Sequence, residues 1–167
     1  MSNRDMSGAV YTYPFSATVL STAGPTDLWC ITAPSNSRVA IREIRLGQYT
    51  EFGDAQAELL SLQIWTGSTA IGGGTTITGL NVKRFSGSLT ASSSVTGPST
   101  TIASTTSATV VLADSYNVAA GWYYKPEPDE RIVIGLSQKL FVRQTTPNDA
   151  ITINGTLVIQ ELGQTPQ

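Results

Sequence analysis

Two prolines one residue apart, in Lys125-Pro126-Glu127-Pro128, stand between a run of aromatics and a run of alternating apolar residues, and they limit what this chain can fold into. Each proline fixes its own φ and pushes the residue before it towards an extended conformation, so no helix passes through. Just upstream are Gly121, Trp122, Tyr123 and Tyr124. Downstream, past Asp129, Glu130 and Arg131, the residues Ile132, Ile134 and Leu136 alternate with Val133 and Gly135, which is the period of a strand. Ser137-Gln138 is a polar break, and Leu140 with Val142 opens another apolar face. The stretch from Tyr116 to Arg143 thus predicts two strands behind an aromatic and proline corner.

The same period governs the other apolar runs. Leu60, Leu62 and Ile64 alternate with Ser61 and Gln63 in a half-buried strand. Ile151, Ile153, Gly155, Leu157 and Ile159 hold one parity. A two-residue hairpin at Asn154-Gly155 would set Ile153 against Thr156 and mix the faces. One long strand, with Gly155 at a close approach, fits better. Between Arg38 and Gly47 the parity slips, since Val39 and Ile41 lie on one face and Ile44 and Leu46 on the other. Either a β-bulge near Arg42-Glu43 restores the phase or the strand is buried on both sides. The bulge is preferred, because burying three arginines and a glutamate is costly.

Towards the N-terminus, Tyr11, Tyr13 and Phe15 share a face, and Pro14 cannot donate a ladder hydrogen bond. That suggests an edge strand or an arm lying on a neighbour. Leu28–Thr32 and Ala108–Leu112 read as short strands. No segment has helical periodicity. About eight to ten short strands separated by turn signals predict an all-β fold, a jelly-roll-like β-sandwich. At 167 residues it is one domain, with residues 1–15 as an extended N-terminal arm and 16–167 as the sandwich. Long loops are expected at 48–57 and at 67–75, where Gly72-Gly73-Gly74 reads as a flexible loop, lacking the Lys-Ser or Lys-Thr of a phosphate loop. The Ser/Thr-rich region 86–107 reads as a long surface loop or as edge pairing on the surface, not as a core element.

Composition then removes function classes. There is no histidine, the commonest general base and metal ligand. Cys30 is the only cysteine, so no internal disulfide or thiolate cluster can form, and it reads as a small buried hydrophobe. Charged residues are 13% of the chain, and only Arg38, Arg42 and Arg45 cluster, which does not make the basic face of a nucleic-acid binder. Arg4 is followed by no apolar core, so no signal peptide is expected. No apolar run is long enough for a bilayer, and the expected setting is a reducing cytoplasm. No cofactor, metal site or catalytic residue is expected.

The segments RVAIREIRLGQ (38–48), AGWYYKPEPDERIVI (120–134) and NGTLVIQELG (154–163) resemble a family of small all-β proteins of tailed bacteriophages and prophages. The resemblance covers roughly Asp27 to Gly163. It implies a jelly-roll protein of the virion, a head decoration or cement protein that is often a homotrimer, with the major capsid protein as partner. Its place would be the capsid surface, with assembly in the host cytoplasm. On that reading Tyr11, Tyr13, Phe15, Trp122, Tyr123 and Tyr124 are candidate interface residues, because interface cores are rich in aromatics and poor in charge.

Three alternatives remain. A receptor- or carbohydrate-binding β-sandwich of a phage fibre or tail would use Trp65, Trp122, Tyr123 and Tyr124 as stacking platforms. An enzyme would need a carboxylate pair from Glu127, Asp129 and Glu130, which beside Lys125 and Arg131 read instead as a solvated corner. A calcium loop at Glu51–Asp54 or Asp149 has too few oxygen ligands.

Overall fold

Trp29 lies at the centre of the core, completely buried between two antiparallel sheets. The computed structural model of the chain describes residues 8–49, 59–82 and 90–163. The strands are β1 (Val10–Leu20), β2 (Thr26–Thr32), β3 (Arg38–Gln48), β4 (Leu59–Thr66), β5 (Leu80–Asn81), β6 (Ser94–Thr96), β7 (Thr109–Asn117), β8 (Trp122–Tyr124), β9 (Val133–Ile134), β10 (Lys139–Gln144) and β11 (Ile151–Leu162). The first sheet runs β5-β1-β11-β3-β8, with β9 also on β3, and the second runs β6-β2-β10-β4-β7.

Without the short β5, β6 and β9, each sheet has four strands, ordered β1-β11-β3-β8 and β2-β10-β4-β7. Neighbours in a sheet are thus drawn from both ends of the chain, the double Greek key of a jelly roll. The fold is the expected all-β sandwich.

Two long strands follow the sequence periodicity closely. β11 is one unbroken strand of 12 residues, with Ile151, Ile153, Leu157 and Ile159 buried. A Cβ on Gly155 would lie 2.5 Å from Cζ of Phe15 and 2.8 Å from Cη2 of Trp29, so only glycine lets the two rings pack there. On β3 the register jumps from Glu43 opposite Val158 to Ile41 opposite Ile159. Arg42 is the extra residue, and the bulge keeps Val39, Ile41, Ile44 and Leu46 all buried.

The arm expected through Phe15 is corrected. Val10–Phe15 is the first half of β1, paired residue by residue with β11 from Val10–Gln160 to Phe15–Gly155. Tyr11 and Tyr13 are 2% and 1% exposed, so the boundary at residue 15 falls inside a core strand. A register shift between Phe15 and Thr18, with Ala17 at a φ of 49°, breaks the parity of β1 midway. That break makes one strand read as an arm followed by something else. Residues 1–7 lie outside the described residues, as do the Glu51–Asp54 calcium alternative and most of the 48–57 loop.

The Ser/Thr-rich region also departs from a surface loop. β6 pairs along the edge of β2, as edge pairing predicts, but Val95 and Ala103 are buried. Residues 67–76 and 97–108 together form a roof over the outer face of the second sheet. Gly73 N–H donates to Thr101 O at 2.9 Å, and Gly97 N–H donates to Thr75 O at 3.1 Å. Under this roof Cys30, Phe141 and Ala103 make a second small core, with Trp65, Ile71 and Ala108 against it. A Cβ on Gly72 would collide with the backbone of Thr101, so the triple glycine is a close-approach segment and not a free loop.

Candidate functional site

Two places concentrate polar chemistry, and the first was invisible in the sequence. Asp27 on β2 is completely buried, and Arg143 on β10 faces it. Nε of Arg143 donates to Oδ1 at 2.7 Å, and the guanidinium also donates to Oδ2 at 3.2 Å and to the carbonyl of Ala103 at 2.8 Å. Ala103 N–H donates to Oδ2 of Asp27 at 2.5 Å, while the backbones of Asp27 and Ser99 exchange two hydrogen bonds at 2.9 Å. The guanidinium carbon sits 4.5 Å above the Phe141 ring. Both carboxylate oxygens of Asp27 are taken up by Arg143 and by the Ala103 backbone, and the guanidinium also holds the Ala103 carbonyl, so the pair joins β2 to β10 and both to the roof, a structural use of two buried charges.

Cys30 lies beside it, its Sγ 3.8 Å from Asp27 Oδ2. Burial, and then the Asp27 charge, push the thiol up to about 12. A thiol that stays protonated at neutral pH is a poor nucleophile, in keeping with the packing role read from the sequence. Glu161 is similarly engaged, accepting from both N–H and Oγ of Ser93.

The second place is the aromatic corner. Gly121, at a φ of 72°, turns the chain so that β8 pairs with Ile44–Leu46 of β3. Trp122 is buried and donates its indole N–H to Oδ2 of Asp114 at 2.9 Å, tying β8 to β7 of the other sheet. Tyr124 stacks on Trp122 at 5.8 Å with the rings 2° from parallel. Tyr123, on the opposite face of the strand, is 59% exposed. Pro126 and Pro128 then turn the chain through a single 3₁₀ turn, Pro128–Glu130, in which Asp129 and Glu130 are exposed. Between this corner and Val111 and Leu112 of β7 is an open groove of about 430 Å³. Burial and the charge of Glu130 raise the Tyr124 phenol above its ordinary range.

The six residues expected to form an interface therefore do not share an exposed surface. Tyr11, Tyr13 and Trp122 are core, and Phe15 is half-buried with its ring 4.8 Å from that of Trp29. Tyr124 is half-buried under the corner. Only Tyr123 is free to meet a partner. Of the proposed stacking platforms, Trp65 lies flat on Phe141 at 5.8 Å and gives its indole N–H to Gln63, and is already occupied.

Among the described residues no group of three or more histidines, cysteines and carboxylates could hold a metal ion. No protein-family model, curated protein or solved structure matches the chain.

Proposed function

We propose that the chain is a non-enzymatic structural protein of a bacteriophage virion, a head decoration or cement protein that binds the outer capsid surface and braces the lattice. The observation that carries this reading is the roof over the second sheet. It is held from below by the bonds of Asp27 and Arg143 to the Ala103 backbone, yet from Leu59 to Ala113 the only charged residues are Lys83 and Arg84. Its outer side presents Thr69, Ala70, Thr100, Thr101, Thr105 and Thr106, with Ile102 43% exposed. The surface of a soluble domain ordinarily carries about 25–35% charged residues, whereas the core of an interface is depleted in them. A face whose own residues carry no charge, with the Lys139 ammonium bonded to Thr69 O as the cation against it, suits burial against a protein lattice. The jelly-roll frame and the resemblance of residues 38–48, 120–134 and 154–163 to phage virion proteins point the same way.

The partners on this reading are the major capsid protein and further copies of the chain. A homotrimer closes on itself and fits a threefold or quasi-threefold lattice position. Bridging many capsid subunits selectively stabilises the intact shell, as any ligand of one state does.

The test is co-sedimentation with capsids of the source phage stripped of this protein. The wild-type chain should pellet with them. Ile102→Glu combined with Thr101→Glu should melt at the same temperature but remain in the supernatant. Retained binding by that variant would remove the roof from the contact and this reading with it.

A further inference from the structure

We propose that the groove between β7 and the proline corner binds a neutral saccharide. Its walls are chemically mixed. Val111 and Ile132 give aliphatic surface, Tyr123 presents an exposed ring, Tyr124 a half-buried phenol, and Lys125 and Glu130 bring one charge of each sign. Among the described residues neither Lys125 nor Glu130 has an ion-pair partner within 4.0 Å, although both line the same groove. At about 430 Å³ the space falls within the range of small-molecule sites.

The pattern of charge selects the ligand. A purely apolar occupant would strip water from Lys125 and Glu130 without replacing its hydrogen bonds, which is unfavourable. An anion would be drawn by Lys125 and repelled by Glu130, and a cation the reverse. A pyranose carries hydroxyls that both donate and accept, so it can accept from Lys125 and donate to Glu130 at once. Its C–H face matches an exposed aromatic ring, the same apolar body with a polar rim that makes tyrosine common at binding surfaces. The groove is also held in shape without a ligand. Trp122 fastens β8 to Asp114 on β7, and Ile41 N–H donates to Ile132 O at 2.9 Å.

This site is independent of the virion reading, because the groove lies at the β7–β8 edge and the neutral roof covers the outer face of the second sheet. A chain that bound no capsid could still bind sugar there, and the reverse.

The experiment is an amide NMR titration of the full chain with glucose, galactose, rhamnose and N-acetylglucosamine, then with a trisaccharide of whichever monosaccharide binds. Signals of Val111 and of residues 123–132 should move at millimolar sugar. Tyr123→Ala should weaken binding by about tenfold or more, as loss of about 1.4 kcal/mol does, while Tyr123→Phe retains it. Glu130→Gln and Lys125→Met should each weaken it with no change in melting temperature. A trisaccharide that binds more tightly than its monosaccharide assigns the groove to a glycan chain, and equal affinity assigns it to a single sugar unit. The proposal is overturned if no sugar shifts these signals, if binding survives Tyr123→Ala, or if a control zwitterion such as glycine or a Pro-rich peptide binds there and sugars do not.

Discussion

Gly155 shows how much one missing methyl group decides. Phe15 and Trp29 occupy the space where its Cβ would stand, and both are rings with little room to yield. Gly155→Ala is expected to cost about 1–3 kcal/mol by overpacking, measured by denaturant unfolding. Phe15→Leu in the same chain should recover part of that loss, whereas equal stability of Gly155→Ala and wild type would mean the rings swing aside freely. Parity alone made this position legible, because a glycine in the inward register of a long strand needs a large neighbour. Titration behaviour was not legible. Burial pushes the Cys30 thiol from 9 up to about 12 and the Tyr13 phenol from 10 up to about 12, and it raises Tyr116 as well. Well below pH 9 both folded and unfolded chains keep these protons. Above it the unfolded chain releases them first, so stability falls as pH climbs towards 12. Melting temperatures between pH 8 and pH 11 should decline accordingly, and iodoacetamide at pH 8 should leave Cys30 unmodified until the chain unfolds.

At the scale of elements, β3 and β11 could be read in advance because each carries its own pattern, bulge included. β1 could not be read whole, since the irregularity after Phe15 cuts its pattern in two. Deleting residues 1–15 should therefore unfold the domain, because it removes Tyr11 and Tyr13 from the core and uncovers half of β11. A folded, cooperatively melting product by circular dichroism would contradict the strand pairing. The roof was hidden for another reason. Asp27 and Arg143 are 116 residues apart, and neither differs in sequence from a surface charge. Only the fold brings them together. Arg143→Met should cost about 3–5 kcal/mol, because it strands a buried carboxylate. Asp27→Asn with Arg143→Met should be milder than Arg143→Met alone, and denaturation of the set measures the coupling.

For the whole molecule, the groups that hold the sandwich together and the groups free to meet a partner are nearly separate sets, and that separation makes a mechanical role testable. Trp122, a candidate interface residue by sequence, is a core residue that ties the two sheets through Asp114. Trp122→Ala should cost about 3–5 kcal/mol of domain stability, the usual loss for a buried large aromatic. Glu127→Ala, Asp129→Ala and Glu130→Ala lie on an exposed turn and should stay within about 0.5 kcal/mol of wild type. If the chain braces a shell, the two groups separate again on the particle. Heat or osmotic shock should release packaged DNA earlier from particles lacking the protein. The three carboxylate variants should restore resistance when added back, whereas Trp122→Ala should restore it only at temperatures where its own domain remains folded. The alternative makes the opposite forecast. If the chain serves attachment, bare particles resist heat and osmotic shock as well as complete ones but adsorb poorly to cells, and Tyr123→Ala then reproduces the adsorption defect while Trp122→Ala at low temperature does not.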